Sequence, residues 1–199
     1  MQRAHLLISS LLALTVPNIA FADYEDGLDA VFRGDYDTAF REFSAAAESG
    51  LDVAQYNLAI LYFTGQGVDQ NVELAFQWTE AAAIQGHLGA QANLGSLYLD
   101  GTGVERDVDT GIAWFTAAAQ GGHGSSAFAL ANMYFDGDPV DRDYVLSHAW
   151  SSMADLHEHP EAESFRSTVE QRMESAQLSE ARRTFARWQI EPPALPAKP

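Results

Sequence analysis

The sequence contains no cysteine and few basic residues. Without cysteine the chain has no disulfide bond, no thiolate zinc site, no cysteine nucleophile and no lipidated N-terminal cysteine. Lysine and arginine together number 11 against 28 aspartate and glutamate residues, so the formal net charge is −17. Because phosphate binding needs clustered Lys and Arg, this charge disfavours a nucleic-acid-binding groove and adsorption to anionic membrane surfaces.

The length and apolar content predict one folded domain. The chain has 199 residues, and globular domains contain roughly 150 residues each. Apolar residues make up 47% and aromatic residues 11%, which is enough for a sizeable core despite the charge. We expect the domain to cover residues 23–190. Residues 191–199 contain four prolines, which is typical of a flexible tail.

Residues 1–22 have the pattern of a secretory signal peptide. Arg3 gives a short positive start, an apolar run follows from Leu6 to Val16, and residues 20–22 read Ala-Phe-Ala, a small-x-small cleavage pattern. The apolar run is too short to span a bilayer, although a membrane anchor is the alternative. We therefore expect cleavage after Ala22, a periplasmic or secreted location, and no stable membrane insertion of the mature chain.

Three consecutive blocks repeat at a spacing of 36 residues, namely 51–86, 87–122 and 123–158. Apolar, aromatic and glycine residues recur at the same positions of each block, and such regular repetition indicates stacked supersecondary units. The shared positions are Leu58, Leu94 and Leu130; Tyr62, Tyr98 and Tyr134; Gly65, Gly101 and Gly137; and Trp78, Trp114 and Trp150.

Each block is predicted to be a hairpin of two helices. Ala54, Leu58 and Leu61 lie on one face at i, i+4 and i+7, and Gly65 follows as a helix C-cap. A second helix follows the glycine loop and carries Trp78. We expect the repeated tyrosine and tryptophan side chains to fill the space between neighbouring hairpins.

The two ends of the repeat array differ from its centre, as the ends of repeat stacks do. Residues 23–50 are expected to form a hairpin with a shorter turn. Residues 160–190 are expected to form two capping helices, over Glu161 to Ser175 and Leu178 to Trp188.

The second block carries one extended motif, made of Ala90, Leu94, Gly95, Tyr98, Gly101, Gly103, Val104, Trp114, Ala118 and Ala119. This motif resembles the Sel-one-like repeat, a close relative of the tetratricopeptide repeat with a longer loop between its helices. The chain departs from that pattern at Gly111, where the family has alanine, and the third block departs at Ser126, Pro139 and Ser147. The resemblance implies an all-α fold, a right-handed α-solenoid of stacked helix-turn-helix hairpins. It also implies a protein-interaction adaptor without catalytic residues or cofactors.

Two other motifs suggest ligand chemistry that we weigh as weaker alternatives. The pairs Gly65-Gln66-Gly67 and Gly101-Thr102-Gly103 follow predicted helices and lack the lysine of a phosphate-binding loop. The acidic segment from Asp136 to Asp143 departs from the calcium-binding EF-hand pattern, since glycine is not at its sixth position. We expect its carboxylates to be solvated and to start the next helix, with calcium binding as the alternative.

The histidines do not form a recognisable metal motif. His157 and His159 are two residues apart, so they would not share a helical face as the histidines of a zinc-binding HExxH motif do. This segment is interpreted as a helix boundary, with adventitious metal binding as the alternative. His87 and His123 occupy equivalent positions between repeats.

The first helix of each hairpin is the candidate partner-binding element. In tetratricopeptide-like stacks these helices line a concave groove, and exposed aromatic and aliphatic side chains there hold a peptide or a helix. The alternative is that some of these side chains pack against adjacent helices. By that analogy the candidate residues are Tyr56, Ile60 and Phe63 in the first block, Ala92, Ser96 and Leu99 in the second, and Phe128, Asn132 and Phe135 in the third.

The sequence therefore predicts an exported, monomeric adaptor that is not an enzyme. It would bind another envelope protein or a peptide segment of one, and the acid excess favours a basic partner. The main alternative is a ligand-binding protein or hydrolase that recognises cell-wall fragments or β-lactams. A metal-responsive scaffold is the third hypothesis.

Overall fold

All regular structure in the described part of the chain is helical. The computed structural model describes residues 16–192, so the expectations for residues 1–15 and for most of the proline-rich tail lie outside the described residues. The all-α fold class is confirmed. The helices are α1 (Val16–Phe32), α2 (Tyr36–Glu48), α3 (Asp52–Thr64), α4 (Val72–Ile84), α5 (Leu88–Asp100), α6 (Val108–Gln120), α7 (Gly124–Asp136), α8 (Tyr144–Leu156), α9 (Ala162–Glu170) and α10 (Ser175–Trp188).

None of the helices described between residues 16 and 192 is long and apolar enough to cross a membrane. The first helix begins at Val16 and runs across the expected cleavage point after Ala22. The chain divides into two compact units, the first ending at Ala90 and the second beginning at Gln91.

The loop between the two helices of a repeat follows from capping chemistry at equivalent positions. The first helix ends at a glycine with a left-handed backbone, with φ of 70° at Gly65 and 74° at Gly137, as predicted. The second helix begins after an Asn or Asp whose side chain accepts a hydrogen bond from a backbone N–H of the first turn. These N-caps are Asn71, Asp107 and Asp143, which are 36 residues apart.

The first unit is held together by small residues that let its helices approach closely. Successive helices from α1 to α4 pack against each other. Gly27 lies under the buried ring of Phe43, which would collide with any side chain added there. Trp78 packs on the edge of this core. The buried residues are Ala30, Ala39, Phe43, Ala46, Ala47, Ala54, Leu58 and Leu61.

The second unit has its core where α8 meets α7 and the C-terminal helices. Trp150 is buried there, and the ring of Trp188 from α10 lies 4.5 Å from it, centroid to centroid. Both C-terminal helices pack on α8. The buried residues of this core are Phe115, Ala119, Ala127, Leu130, Ala131, Trp150, Met153, Ala154 and Ala162.

The last helix ends at Trp188 as predicted, but the other boundaries of the two C-terminal helices differ from those expected from the sequence. The first is shorter, Ala162–Glu170, and the second begins at Ser175 instead of Leu178. A capping box causes the earlier start, because the Glu174 and Gln177 side chains each bond to the backbone N–H of the other residue.

Candidate functional site

Helix α3 carries two apolar stripes on different faces. The first, which includes Ala54, Leu58 and Leu61, is buried in the core of the first unit. The second stripe consists of Tyr56, Ile60 and Phe63, spaced i, i+4 and i+7. Its members are partly exposed, and Phe63 has an exposed fraction of 46%. A helix of a water-soluble domain normally buries one apolar face, so a second apolar face that is partly exposed is available to a partner.

The ring of Tyr56 is held in place by residues at the start of α5. It stacks on the imidazole of His87 with a centroid separation of 4.5 Å and an interplanar angle of 29°. Gly89 also lies against it, because a Cβ added at Gly89 would meet the Tyr56 ring at 3.3 Å. Both residues therefore pack against Tyr56 and fix the position of its ring.

The candidate residues on α5 are less available than those on α3. Leu99 packs against the core of the second unit and fills the space beside Gly111. The Ser96 hydroxyl donates to the carbonyl oxygen of Ala92 at 3.4 Å, a bond within the helix. The structure thus places Leu99 partly in the core, which was the alternative that the sequence left open.

The candidate residues on α7 are largely covered by the C-terminal part of the same chain. Phe128 stacks on the imidazole of His159 at 4.1 Å. Phe165 of α9 contacts both Phe128 and Phe135 with ring centroids 5.3 Å apart. The amide of Asn132 donates to the carbonyl oxygen of Phe128 at 2.8 Å. In the described structure these three residues are therefore committed to contacts within the second unit.

Two of the repeated histidines use their rings to support the start of a helix. The Nδ1 atom of His87 accepts a hydrogen bond from the backbone N–H of Ala90 at 3.0 Å. The Nδ1 atom of His123 lies 2.8 Å from the hydroxyl oxygen of Ser126. Burial lowers the pKa of His87 and of His123 below the ordinary value of 6.5. Both rings are therefore neutral at physiological pH.

A pair formed by a buried histidine and a partly exposed carboxylate in the second unit was not found from the sequence. The Nε2 atom of His148 on α8 lies 3.0 Å from a carboxylate oxygen of Glu170 on α9, and Arg182 approaches the same oxygen at 3.8 Å. The hydroxyls of the neighbouring Ser151 and Ser152 both donate to the carbonyl oxygen of His148. These serines bond to the backbone and not to the imidazole, so they are not arranged as nucleophiles beside a base.

Asp143, the last residue of the acidic segment from Asp136 to Asp143, forms the N-cap of α8, and so this segment starts a helix as expected. A carboxylate oxygen of Asp143 accepts from the backbone N–H groups of Val145 and Leu146 at 2.8 and 3.0 Å. Arg142 places its guanidinium on the carbonyl oxygen of Asp136 at 3.0 Å, so the segment already holds a cation. Within residues 16–192 no group of three or more His, Asp or Glu side chains could hold a metal ion.

Comparison with known proteins identifies the repeat. The sequence profile of the Sel1 repeat matches residues 19–51, 52–87, 89–123 and 124–154, which together make up well over half of the chain. The chain belongs to the Sel1 repeat family. Members of this family generally mediate protein–protein interactions, and the fold is typically a non-enzymatic interaction scaffold. No curated protein gives a significant match to the sequence.

Two solved structures resemble this Sel1 repeat protein. A crystal structure of a Sel1 repeat protein from Oxalobacter formigenes is 27% identical, covers 70% of this chain and 57% of its own, and superposes with a TM-score of 0.64. The structure of c5321, a protective antigen of uropathogenic Escherichia coli strains with an SLR fold, is 25% identical, covers 90% and 50% of the two chains, and has a TM-score of 0.44. The chain therefore spans about half the length of these solved proteins.

Proposed function

We propose that this chain is an exported adaptor that binds an extended segment of an envelope protein on helix α3. Binding is an equilibrium association in which no bond is made or broken. The observation that carries the proposal is the second apolar stripe of α3, where Tyr56, Ile60 and Phe63 are partly exposed at helical spacing. Aromatic anchors held in place by their own chain lose little entropy when a partner binds.

The charge of the chain supports a basic partner. The net charge is −17, and complementary charge accelerates encounter and disfavours acidic competitors. We therefore expect the partner segment to combine apolar side chains with lysine or arginine. The association rate should fall as salt is added, because salt screens charges that are exposed on both molecules.

Export is supported by the signal-peptide pattern of residues 1–22. The test is the mass of the protein recovered from the envelope fraction of its host. A chain that begins at Asp23 supports export with cleavage after Ala22. Recovery of the full-length chain in the cytoplasmic fraction alone contradicts it.

The adaptor function is tested by capturing partners from envelope extract. The sequence alone suggests a double variant of Tyr56 and Phe128, but Phe128 is packed against His159 and Phe165 and its loss would disturb folding. Ile60→Ser with Phe63→Ser is the better pair, because both residues lie on the partly exposed stripe.

The matched control is Ile84→Ser, which removes an apolar side chain that is 65% exposed but lies on α4. We expect the wild type and the Ile84 variant to retain the same partner and the stripe variant to lose it while remaining folded. Equal retention by all three would move the binding site off α3. If no protein is retained, a thermal-shift screen with muropeptides and β-lactams tests the ligand-binding alternative.

A further inference from the structure

Helix α1 can be placed in register with the first helices of the later repeats through a contact that occurs twice in the chain. Gly27 lies under the ring of Phe43, and Gly95 lies against the ring of Phe115 in the same way. The two phenylalanines are separated by two repeats of 36 residues. Gly27 is therefore the equivalent of Gly95 and, one repeat earlier, of Ala59.

This register shows that the exposed stripe of α3 continues on α1. The residues equivalent to Tyr56, Ile60 and Phe63 are, in the same order, Tyr24, Leu28 and Val31. Each tyrosine contacts the first part of the following first helix. The Tyr24 hydroxyl hydrogen-bonds to the side chain of Asn57 on α3, and Tyr56 stacks on His87 beside the start of α5. Both helices belong to the first unit.

The α1 part of the stripe is open to solvent. Leu28 and Val31 are both exposed, and Phe32, which lies one helical turn after Leu28, has an exposed fraction of 93%. All three residues follow Ala22, so they remain in the chain that cleavage at that point would leave. A phenylalanine this exposed beside two exposed aliphatic residues forms an apolar patch of the kind that marks an interaction surface.

Carboxylates lie directly beside this apolar patch on the same helix. Glu25 precedes Leu28 by three residues and Asp29 precedes Phe32 by three, so each is a neighbour on the helix surface. Both carboxylates are exposed, and within residues 16–192 Glu25 has no ion pair. Asp29 meets Arg33 at 3.9 Å, but both side chains are largely exposed, and such pairs contribute little.

Helix α3 adds negative charge to the same place. Burial is the largest cause that raises the pKa of Tyr24 above its ordinary value of 10.0, and a hydrogen bond with Asn57 opposes it. The charges of Glu25 and of Asp52, in the first turn of α3, raise this pKa further. A cation that approaches Tyr24 would therefore meet carboxylates from both helices.

We propose that α1 and α3 form one docking surface for an extended segment that alternates apolar residues with lysine or arginine. Leu28, Val31 and Phe32 would hold its apolar side chains, and Glu25 and Asp29 would pair with its cations. This inference rests on the proposed function, extends its surface to α1 and states where the charge of the partner is recognised. A second copy is disfavoured as the occupant, because two α1 faces would bring like charges together.

The test uses a defined probe, the peptide Ac-Lys-Leu-Lys-Phe-Lys-Leu-Lys-NH2, and isothermal titration calorimetry with the purified protein at low salt. Two control peptides separate charge from apolar contact. Ac-Glu-Leu-Glu-Phe-Glu-Leu-Glu-NH2 keeps the apolar residues, and Ac-Lys-Ser-Lys-Ser-Lys-Ser-Lys-NH2 keeps the charge. We expect each control to bind about tenfold more weakly or less. Absence of binding by the probe at its highest soluble concentration, or equal binding by either control, overturns the proposal.

A pair of charge variants locates the cations of the probe. Glu25→Gln with Asp29→Asn should weaken binding about three- to tenfold, because two exposed charge pairs are lost. Asp69→Asn with Glu73→Gln is the matched control, since it removes two exposed carboxylates of the same unit that lie outside α1 and α3. Equal weakening in both double variants would show that only the net charge matters, and this would overturn the proposal.

Phe32→Ser tests the apolar part of the surface. The ring is almost fully exposed, so its removal should leave the thermal unfolding curve unchanged while weakening the probe about fivefold or more. Ile84→Ser is again the control, because it removes an exposed apolar side chain from α4 and should leave binding unchanged. Unchanged affinity in the Phe32 variant overturns the proposal.

The outcomes separate this proposal from the proposed function. Probe binding that needs Glu25, Asp29 and Phe32, without any captured envelope protein, supports the α1 surface and contradicts the adaptor function. A captured partner that is lost by the variant of Ile60 and Phe63 but retained by all the α1 variants supports the adaptor function and overturns the extension to α1. Self-association of the protein that Phe32→Ser abolishes would identify a second copy as the occupant and also overturn it.

Discussion

Gly95 and Gly111 face each other across α5 and α6 so closely that neither position has room for a side chain. A Cβ added at Gly111 would lie 2.9 Å from the carbonyl oxygen of Gly95 and 2.7 Å from a methyl group of Leu99. This contact explains why the second repeat departs from the family pattern at Gly111. The alanine usual at that position would force the two helices apart.

We predict that Gly111→Ala destabilises the protein, although it restores the residue typical of the family. A glycine-to-alanine change inside a helix usually stabilises it, but overpacking here should cost about 1–3 kcal/mol. Urea unfolding of the purified protein measures the change. In a Leu99→Ala background the loss should shrink, since one of the two collisions is removed. An increase in stability would show that α5 and α6 are further apart than described.

Gly67 is predicted to be the least replaceable loop glycine of the first unit. It has a φ of 71°, and a Cβ there would collide with the backbone of Tyr36. Gly34 has a similar φ of 74° but open space around it, so Gly34→Ala is the matched control. In the control the free energy of unfolding should fall by only about 1–2 kcal/mol, which is the cost of placing a non-glycine residue in a left-handed backbone conformation. Gly67→Ala should lose clearly more, and equal losses would contradict the close contact with Tyr36.

Much of the local structure follows from spacing in the sequence. The glycine C-cap at Gly65 and its equivalents at Gly101 and Gly137 are predictable, because left-handed caps favour glycine and the positions repeat. The N-caps of the second helices are predictable for a similar reason, because Asn and Asp are favoured at N-caps and these residues also recur every 36 residues. A repeat of 36 residues therefore predicts where the helices of the central hairpins end and begin.

The candidate site is less predictable, because it depends on contacts outside the repeat. Phe165 lies after the last repeat, and no spacing rule indicates that its ring covers Phe128 and Phe135. The pair of His148 and Glu170 joins two helices of which only one belongs to the repeats. A signal for the aromatic–histidine stacks was present, since Tyr56 and His87 have repeat equivalents. Which rings touch becomes clear only from the geometry.

The repeated tryptophans should differ in their contribution to stability. The repeat alone predicts equal roles, but Trp150 is buried whereas Trp114 is only partly buried. We expect Trp150→Ala to lower the free energy of unfolding by about 3–5 kcal/mol and Trp114→Ala to lower it by less. Unfolding monitored by circular dichroism measures both.

The contact between Trp150 and Trp188 should appear as coupling between the two residues. A double-mutant cycle should give about 0.5–1.5 kcal/mol for this ring pair, beyond the burial of each. A second double-mutant cycle, with Trp150 and Trp114, is the control and should give a smaller coupling energy. Additive losses for Trp150 and Trp188 would show that α10 is not anchored through this contact.

Stability should fall in two separate pH windows. Burial lowers the pKa of His87, so the unfolded chain takes up a proton at higher pH than the folded chain does. Stability is therefore complete above the ordinary pKa of 6.5 and is lost as the pH falls towards the lowered pKa of the folded state. Hydrogen bonds from the hydroxyl and the backbone N–H of Thr110 lower the pKa of Asp107 in the same way. Its contribution is lost only below the ordinary pKa of 3.8.

His87→Asn tests the upper window. Asparagine keeps a side-chain oxygen that can accept from the N–H of Ala90, but it does not titrate. Urea midpoints above pH 6.5 and at about pH 5 should therefore differ less in this variant than in the wild type. Asp107→Asn is the control, because it should alter the lower window and leave the upper difference unchanged. Burial also lowers the pKa of His123, so part of the upper difference should remain in the His87 variant. An upper difference as large as that of the wild type would show that protonation of His87 does not contribute to it.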